Sequence, residues 1–358
     1  MSPALPERTA AGFPDRLTGM TAAFTLKALV GLLPVLAFLG FLLYLDSYKL
    51  LRLKTIVIVI AAGGAAALAA LAVNGYLLEA TGLDFSAYTR YVAPLVEEAL
   101  KALIVIYLFR THRIGFLVDA AILGFAVGAG FAMVENFFVL QAHGGASMVV
   151  WFVRGFGTAI MHGGVTAIFA LASQALTERQ MRINPARYLP GLGLATMLHA
   201  VFNHFPVTPV LQTLGTVVLL PPLLALVFDR SARALHDWLE LDFDADARLI
   251  RMITSGEFPD SKIGRFLADL KEKFDGPVVA DMLCYLRVYT ELAIRAKAVL
   301  IARENGLDLP VGERTRARFD ELGYLERSIG RTGCLAMRPF LQMERKDLWQ
   351  LRVLARGR

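Results

Sequence analysis

Three ionisable residues lie within five positions of an otherwise apolar run, at Glu97, Glu98 and Lys101. The run covers residues 91–109 and is long enough to cross a bilayer as a helix. An ionisable side chain inside a membrane helix is energetically costly, so it marks a functional site by default. These three residues are therefore the first candidates for chemistry.

Further polar side chains occur on later apolar segments: Glu135 and Asn136 on one, His162 on the next, and His199 and Asn203 on a third. Counting helical rise from the segment ends places Glu135 and His199 roughly 10 Å below the outer surface, level with the glutamate pair. His162 reaches the same depth if its overlong segment begins outside the membrane. The sequence thus predicts that four helices contribute to one polar layer.

Such a layer could hydrolyse a peptide or ester bond. A carboxylate can deprotonate water, and one of two adjacent carboxylates can be ionised while the other holds a proton. Histidine and asparagine donors can stabilise an oxyanion. Alternatively, Glu135, His162 and His199 could bind a zinc ion that activates the water. The chain has no HExxH motif, so such ligands would come from separate helices, and the metal-dependent and glutamate-only mechanisms both stay open.

Each of these residues also has a purely structural interpretation. Glu97 and Lys101 are four positions apart and could neutralise each other on one helix face, although this leaves Glu98 unexplained. Glu135 and Asn136 could form an inter-helix hydrogen-bonding pair, and a single histidine is often an ordinary member of a bundle. Taken together, the residues favour a catalytic site, with Lys101 as the partner that keeps one glutamate ionised.

The elements that position these residues follow from hydropathy. The chain has 358 residues, of which 56% are hydrophobic, and a mean hydropathy of +0.53, more than a soluble domain carries. We predict an all-α polytopic membrane bundle of about seven transmembrane helices, at about 27–46, 55–78, 91–109, 115–140, 149–176, 187–206 and 208–228. The domains are then an N-terminal segment (1–26), a transmembrane domain with the candidate site (27–229) and a C-terminal helical domain (230–358).

The orientation follows from Lys and Arg in the connections between spans. Alternate connections and the exit from the last span are basic: Lys49, Arg52, Lys54, Arg110, Arg113, Arg179, Arg182, Arg187, Arg230 and Arg233. The other connections contain Arg90 as their only Lys or Arg. The positive-inside rule then predicts an N-terminus outside, a cytoplasmic C-terminus and a polar layer near the outer surface. A cleaved signal peptide is not expected, since a basic n-region and a small-residue cleavage site are missing.

The C-terminal domain shows amphipathic helical patterns at about 260–274, 278–305, 313–328 and 341–355. We find no catalytic motif there. The remaining hypotheses for this domain are a regulatory role and the binding of a cytosolic protein partner. Despite the net charge of +6, basic residues do not form a patch with aromatics, so nucleic-acid binding is not expected. Cys284 and Cys334 lack CxxC spacing and are interpreted as reduced core cysteines.

Four segments resemble those of the PrsW-type intramembrane proteases. Residues 97–101 resemble the EExxK motif of that family, and residues 130–136 are similar to its GFAxxEN segment. Arg154 followed by residues 161–163, and then residues 198–203, resemble its later histidine-bearing helices. The motifs occur in the family's order over about 91–205, each within a predicted span, which makes the match specific.

This family is related to the CAAX-type and bacteriocin-processing membrane proteases, whose fold is an α-helical bundle with its site in the membrane. The resemblance implies that Glu97, Glu98, Glu135 and His199 are catalytic or metal-binding residues, with His162, Asn136 and Asn203 as close supports. It also implies site-1 cleavage of a membrane-anchored anti-sigma factor on the extracytoplasmic side of a bacterial cell membrane. The outer depth of the polar layer agrees with that side.

The leading hypothesis is therefore a multi-pass membrane endopeptidase in which Glu97 or Glu98 activates water. The remaining carboxylates and the histidines would bind a metal or stabilise the oxyanion. Two other classes stay open, a proton-coupled transporter and a non-catalytic scaffold that signals through its tail. An inverted repeat with matching broken helices, which would favour a transporter, is not evident in the sequence.

Overall fold

The computed structural model of the protein describes residues 13–46, 51–143, 145–177, 184–255, 258–304, 307, 309–310, 312–341, 349, 351 and 354. This described part of the chain is almost entirely helical and contains no strand. The prediction of an all-α fold is therefore confirmed. Residues 1–12, which belong to the predicted N-terminal segment, lie outside the described residues.

Within the described residues, each of the seven predicted spans falls on one helix: α1 (Phe13–Leu45), α2 (Leu53–Thr81), α3 (Ala93–Arg110), α4 (Leu117–His143), α5 (Met148–Thr177), α6 (Leu189–His204) and α7 (Pro209–Ser255). Five of them, namely α1, α2, α4, α5 and α7, are long and apolar enough to cross a membrane by length and composition. The other two fall short for physical reasons, since α3 carries four charged residues and α6 has only 16 residues. The chain is thus a polytopic membrane protein.

Two π-helical segments interrupt the regular helices close to the predicted site residues. Tyr88–Val92 precedes α3, and Val153–Thr158 lies inside α5. Such segments are rare and occur frequently at functional sites. Here they lie five residues before Glu97 and four before His162, so both interruptions adjust the direction of a helix that carries a candidate residue.

Helix α4 is the centre of the bundle. Of its apolar span, 78% is buried, against 17% for the membrane part of α7. It packs most extensively against α5 and α2. Gly128 of α4 abuts the backbone carbonyl of His162, and Gly63 of α2 abuts that of Val127, so a Cβ at either glycine would overlap a neighbouring helix. The small residues in these two spans thus allow their helices to pack closely.

Helix α7 continues without interruption through the predicted domain boundary at residues 229 and 230 and ends at Ser255. Three helices follow it, α8 (Lys262–Leu270), α9 (Gly276–Glu304) and α10 (Glu313–Met337), and they share an apolar core with the end of α7. These correspond to the first three predicted C-terminal helices. The fourth, at 341–355, lies mostly outside the described residues.

The C-terminal segment contacts the membrane bundle through Trp349. Its indole packs edge to face on Phe116, with ring centroids 4.9 Å apart, and covers Gly115. Asp119 Oδ2 accepts the backbone N–H groups of both loop residues, at 2.9 and 3.3 Å. Gln174 Nε2 donates to the Gly115 carbonyl at 2.8 Å. The loop between α3 and α4 is thus a rigid socket for this tryptophan.

The two cysteines are free, and they differ in exposure. Cys334 is partly buried, and burial together with the nearby Glu326 raises the pKa of its thiol. Cys284 is exposed, so its interpretation as a core cysteine was wrong. Its helix α9 turns that position outward while the neighbouring Tyr285 takes the buried one. Neither position forms a disulfide or a thiolate metal site.

Candidate active site

The direction of each helix explains how the candidate residues meet. Side chains of a helix tilt toward its N-terminus. Helices α3 and α5 begin at the end of the bundle where α4 and α6 finish, so their side chains tilt toward each other from opposite directions. We define the polar layer as the six residues that meet in this way: Glu97, Glu98, Lys101, Glu135, His162 and His199.

Glu98 and Lys101 form the buried centre of the polar layer. Lys101 Nζ donates to Glu98 Oε1 at 2.8 Å, and it lies 2.7 Å from His162 Nδ1 and 4.1 Å from the centroid of the Phe131 ring. The same Glu98 oxygen lies 2.9 Å from His199 Nδ1. Lys101 is therefore paired with Glu98 and not with Glu97, and together the two residues hold both histidine rings.

Glu97 lies beside this centre and is more accessible, with 15% of its side chain exposed against 1% for Glu98. Its Oε2 is 3.9 Å from His199 Nε2, and its Oε1 accepts from Asn74 Nδ2 at 3.3 Å. Sequence reasoning missed Asn74. The signal was available, because Asn74 is the only amide side chain in the apolar, small-residue-rich helix α2.

Glu135 is held by Arg154 and by the neighbouring Asn136. Arg154 Nη2 donates to Glu135 Oε1 at 2.6 Å, while its Nε donates to Asn136 Oδ1 at 2.8 Å. Asn136 Nδ2 in turn donates to the Gly31 carbonyl at 2.8 Å, which connects α4 to α1. Arg154 was assigned to a motif but not to the site. Its place in the π-helical segment beside a membrane carboxylate identifies it as a site residue.

The second oxygen of Glu135 is unusual. Glu135 Oε2 is buried and lies 2.8 Å from His162 Nε2, but the two atoms are not aligned as a hydrogen bond, and this oxygen has no hydrogen-bond partner among the described residues. A carboxylate oxygen has two lone pairs, so Glu135 Oε2 can accept a further hydrogen bond beside its contact with His162.

Asn203 lies outside the polar layer. Its Nδ2 donates to the backbone carbonyl of Thr89 at 2.9 Å, in the π-helical segment before α3. It thus connects α6 to the helix that carries Glu97 and Glu98. The His199 ring, one turn earlier on α6, packs edge to face against the His162 ring, with centroids 4.7 Å apart. Asn203 supports the geometry of the site and His199 takes part in it.

Three residues of the polar layer could hold a metal ion. Glu97, His162 and His199 each offer one ligand atom, and these atoms all lie within 4.8 Å of one another. Two histidines and a carboxylate form a common catalytic zinc set, which leaves one position for water or substrate. The set shares both histidines with the predicted one and has Glu97 in the place of Glu135. With two imidazoles and a carboxylate as donors, and Glu135 Oε2 only 2.8 Å from His162 Nε2, the residues fit a divalent cation.

A groove of about 350 Å³ opens beside the polar layer, between α2, the segment before α3 and the end of α4. Glu97 and Glu135 both line this groove, and so do Asn74 and Tyr88. A molecule bound there would reach both accessible carboxylates of the layer. The polar layer is therefore a candidate active site that a molecule in the groove can reach.

The model of the PrsW family of intramembrane metalloproteases matches residues 51–227, about half of the chain, and this range includes all of α2 to α6 with most of the apolar part of α7. This matched region therefore belongs to the PrsW family, as its motifs predict. No curated protein and no solved structure matches the chain significantly.

Proposed function

We propose that this protein is a metal-dependent endopeptidase that cleaves a membrane-anchored protein near the outer surface of the bacterial cell membrane. The observation that carries the proposal is the convergence of Glu97, His162 and His199 beside a groove that also reaches Glu135. Family membership supports intramembrane proteolysis. A metal ion agrees with the family's description, and zinc agrees with the ligand types.

In this proposal Glu97, His162 and His199 hold the metal. A bound zinc ion would supply a Lewis acid that activates water near neutral pH. Glu135 is the general base, because it lines the groove and Arg154 occupies only one of its oxygens. The other oxygen, beside His162 Nε2, accepts the proton from water and returns it to the leaving amine.

Glu98 and Lys101 act through the histidines in this proposal. Both are buried, and neither lines the groove, so they orient the His199 and His162 rings without touching the substrate. Partners that orient metal-binding histidines typically change metal affinity or activity by 10- to 100-fold when they are replaced. This proposal differs from the expectation that Glu97 or Glu98 activates water, because it makes Glu97 a metal ligand, Glu98 a positioning residue and Glu135 the base.

The sequence supports the finer features of the proposal. The distribution of Lys and Arg supports an N-terminus outside and a cytoplasmic C-terminal domain, with the polar layer near the outer surface. Resemblance to the family supports an anti-sigma factor as substrate. We keep the three predicted domains, 1–26, 27–229 and 230–358, and a cytosolic protein partner for the last of them, as proposals.

The proposal is tested by cleavage of candidate membrane-anchored proteins in proteoliposomes that contain the purified full-length protein. We expect cleavage that a chelator abolishes and that zinc restores. The His199→Ala variant should be inactive, while His143→Ala, which replaces an exposed histidine at the end of α4, should keep full activity. Full activity of His199→Ala, or cleavage that a chelator leaves unchanged, would overturn the metal-dependent mechanism.

A further inference from the structure

The groove contains two polar residues that the proposed hydrolysis leaves without a role, Asn74 on α2 and Tyr88 before α3. The Tyr88 hydroxyl donates to Asn74 Oδ1 at 3.0 Å, and Asn74 Nδ2 donates to Glu97 Oε1 at 3.3 Å. Tyr88 is only 2% exposed. The Tyr88 hydroxyl therefore fixes the orientation of the Asn74 amide, so that the Nδ2 group of Asn74 faces Glu97. Glu97 also lines the groove.

The groove is open laterally, so a membrane-spanning polypeptide can enter it from the surrounding lipid. Its rim carries exposed apolar residues, with Leu71 57%, Phe85 71% and Phe138 41% exposed, and in a membrane helix bundle such surfaces contact hydrocarbon. The α2 wall is formed partly by Ala70 and Gly75, and a Cβ at Gly75 would meet nothing within 4 Å. The shape therefore suits one segment of a membrane-spanning polypeptide.

A peptide bond inside an intact helix is enclosed by backbone hydrogen bonds and side chains, so a substrate must unwind locally before it is cut. At membrane depth, each backbone N–H or C=O freed by unwinding costs several kcal/mol unless it finds a partner. An amide side chain supplies both donors and an acceptor. The Asn74–Glu97 contact of 3.3 Å is longer than a typical N–H···O bond, so exchanging it for a substrate carbonyl is inexpensive.

We infer that Asn74, oriented by Tyr88, hydrogen-bonds the backbone of an unwound membrane-spanning substrate next to the bond that is cleaved. This inference rests on the proposed function and names the conformation of the substrate that the site selects. Asn74 is then a substrate-binding residue, and Tyr88 is a positioning residue that acts through it. Substrates with helix-breaking residues near the cleavage position should bind better than uniformly helical ones.

The experiment uses full-length protein in proteoliposomes and two synthetic transmembrane peptides as probes, one with a central Gly-Pro pair and one of uninterrupted Leu and Ala. A photoreactive phenylalanine analogue at position 71, on the rim, reports groove occupancy by crosslinking. The same analogue at Leu219, which is 69% exposed on α7, is the control for non-specific contact in the bilayer.

We expect the Gly-Pro probe to crosslink from the rim in the native background and roughly three- to tenfold less with Asn74→Leu, as the loss of one or two backbone hydrogen bonds predicts. Tyr88→Phe should give a smaller loss, and Asn74→Gln should restore part of the signal. The uninterrupted probe and the control at position 219 should not respond to any of these changes. Equal crosslinking of the Gly-Pro probe in the native and Asn74→Leu backgrounds would overturn the inference.

Two further readouts separate a binding role from a structural one. At saturating zinc, Asn74→Leu should still bind one zinc ion per chain, and with a cleavable substrate the variant should raise KM more than it lowers kcat. A pure loss of kcat at saturating zinc would contradict the substrate-binding role. The experiment also distinguishes failure of the proposed function from failure of this inference. Crosslinking that depends on Asn74, without cleavage of any substrate, would contradict the protease function but support the substrate-binding role of Asn74.

Discussion

The protein buries a lysine in each of two regions, and the surroundings of the two lysines differ. In the C-terminal domain, Lys297 Nζ lies 2.6 Å from Asp246 Oδ2 and connects α9 to the extension of α7. In the membrane bundle, Lys101 contacts Glu98, His162 and the face of Phe131 at once. The first contact joins two helices across a partly exposed carboxylate. The second belongs to a network of ionisable groups that opens onto a groove.

The difference shows what separates a structural ion pair from a candidate active site. Removing two charges from water is costly, and a buried ion pair is by itself weak evidence for a functional site, because structural ion pairs are also buried. In the polar layer, six ionisable groups are removed from water together, so their desolvation cost is larger. Two of the carboxylates, Glu97 and Glu135, remain accessible from the groove. Convergence and access, more than burial of charge, indicate chemistry there.

The largest expected effect on cleavage is the loss caused by replacing the accessible carboxylates of the polar layer. Glu97→Gln and Glu135→Gln should each lower cleavage by at least roughly a thousandfold, because each removes a group that acts as part of one catalytic unit. Membrane abundance should stay nearly unchanged. Glu79→Gln, at an exposed position near the end of α2, is the matched control and should cleave normally. Near-native cleavage by both site variants would rule out the polar layer as the catalytic site.

The two lysines can be compared directly by substitution with methionine. Lys101→Met leaves Glu98 buried without its charged partner and should lower the free energy of unfolding by about 3–5 kcal/mol, together with activity. Lys297→Met should cost only about 1–3 kcal/mol and leave cleavage nearly intact. Denaturation in detergent measures the free energy of unfolding, and assays in proteoliposomes measure cleavage.

The double variant Lys101→Met, Glu98→Gln sharpens this test. Removing both charges should recover much of the lost stability, because no buried charge is left uncompensated. Activity should not recover, since His162 has lost its contact with Lys101 and His199 contacts a neutral amide in place of a carboxylate. A double variant that regains activity together with stability would show that the Lys101–Glu98 pair is structural, like the pair of Lys297 and Asp246.

A smaller effect is expected at Arg154. The guanidinium contacts Glu135 and Asn136 with two different nitrogens, and lysine, with a single ammonium, cannot reproduce this fork. Arg154→Lys should lower kcat/KM by roughly 10- to 100-fold without abolishing folding. Arg187→Lys, at a partly exposed position before α6 and outside the polar layer, is the control. Equal activity of the two variants would mean that Arg154 only anchors the helix.

The smallest effect on cleavage is expected at the socket for Trp349. A methyl group at Gly115 would overlap the indole, so Gly115→Ala should release the C-terminal segment, with a cost of about 1–3 kcal/mol for overpacking. Limited proteolysis of the C-terminal segment should become faster, as it should in Trp349→Ala. Cleavage of substrate should change little. A large loss of activity in both variants would instead connect the C-terminal segment to the active site.

Much of this architecture follows from the sequence. Long apolar runs predict the membrane helices because bilayer thickness fixes their length, and helical rise predicts the depth of Glu97, Glu135 and His199. Hydropathy does not determine how each helix is rotated about its axis. The place of Glu97 in the metal-binding set that we propose, and the contact of Asn74 with Glu97, depend on that rotation, so they needed the structure.

His162 illustrates a second limit of depth counting. Its backbone lies against Gly128, two turns along α4 from Glu135, yet its Nε2 is 2.8 Å from Glu135 Oε2. The tilt of side chains toward the helix N-terminus closes this gap, because α4 and α5 run in opposite directions. The continuous helix across residues 229 and 230 was also not predictable from composition, which changes there although the backbone hydrogen bonding does not.

The metal content of the purified full-length protein and of four single variants tests the central claim most directly. We predict one zinc ion per native chain, its loss in Glu97→Ala, His162→Ala and His199→Ala, and its retention in Glu135→Ala, which should nonetheless be inactive. A native protein that cleaves its substrate without any bound metal would contradict the account. So would zinc that is retained in all four variants.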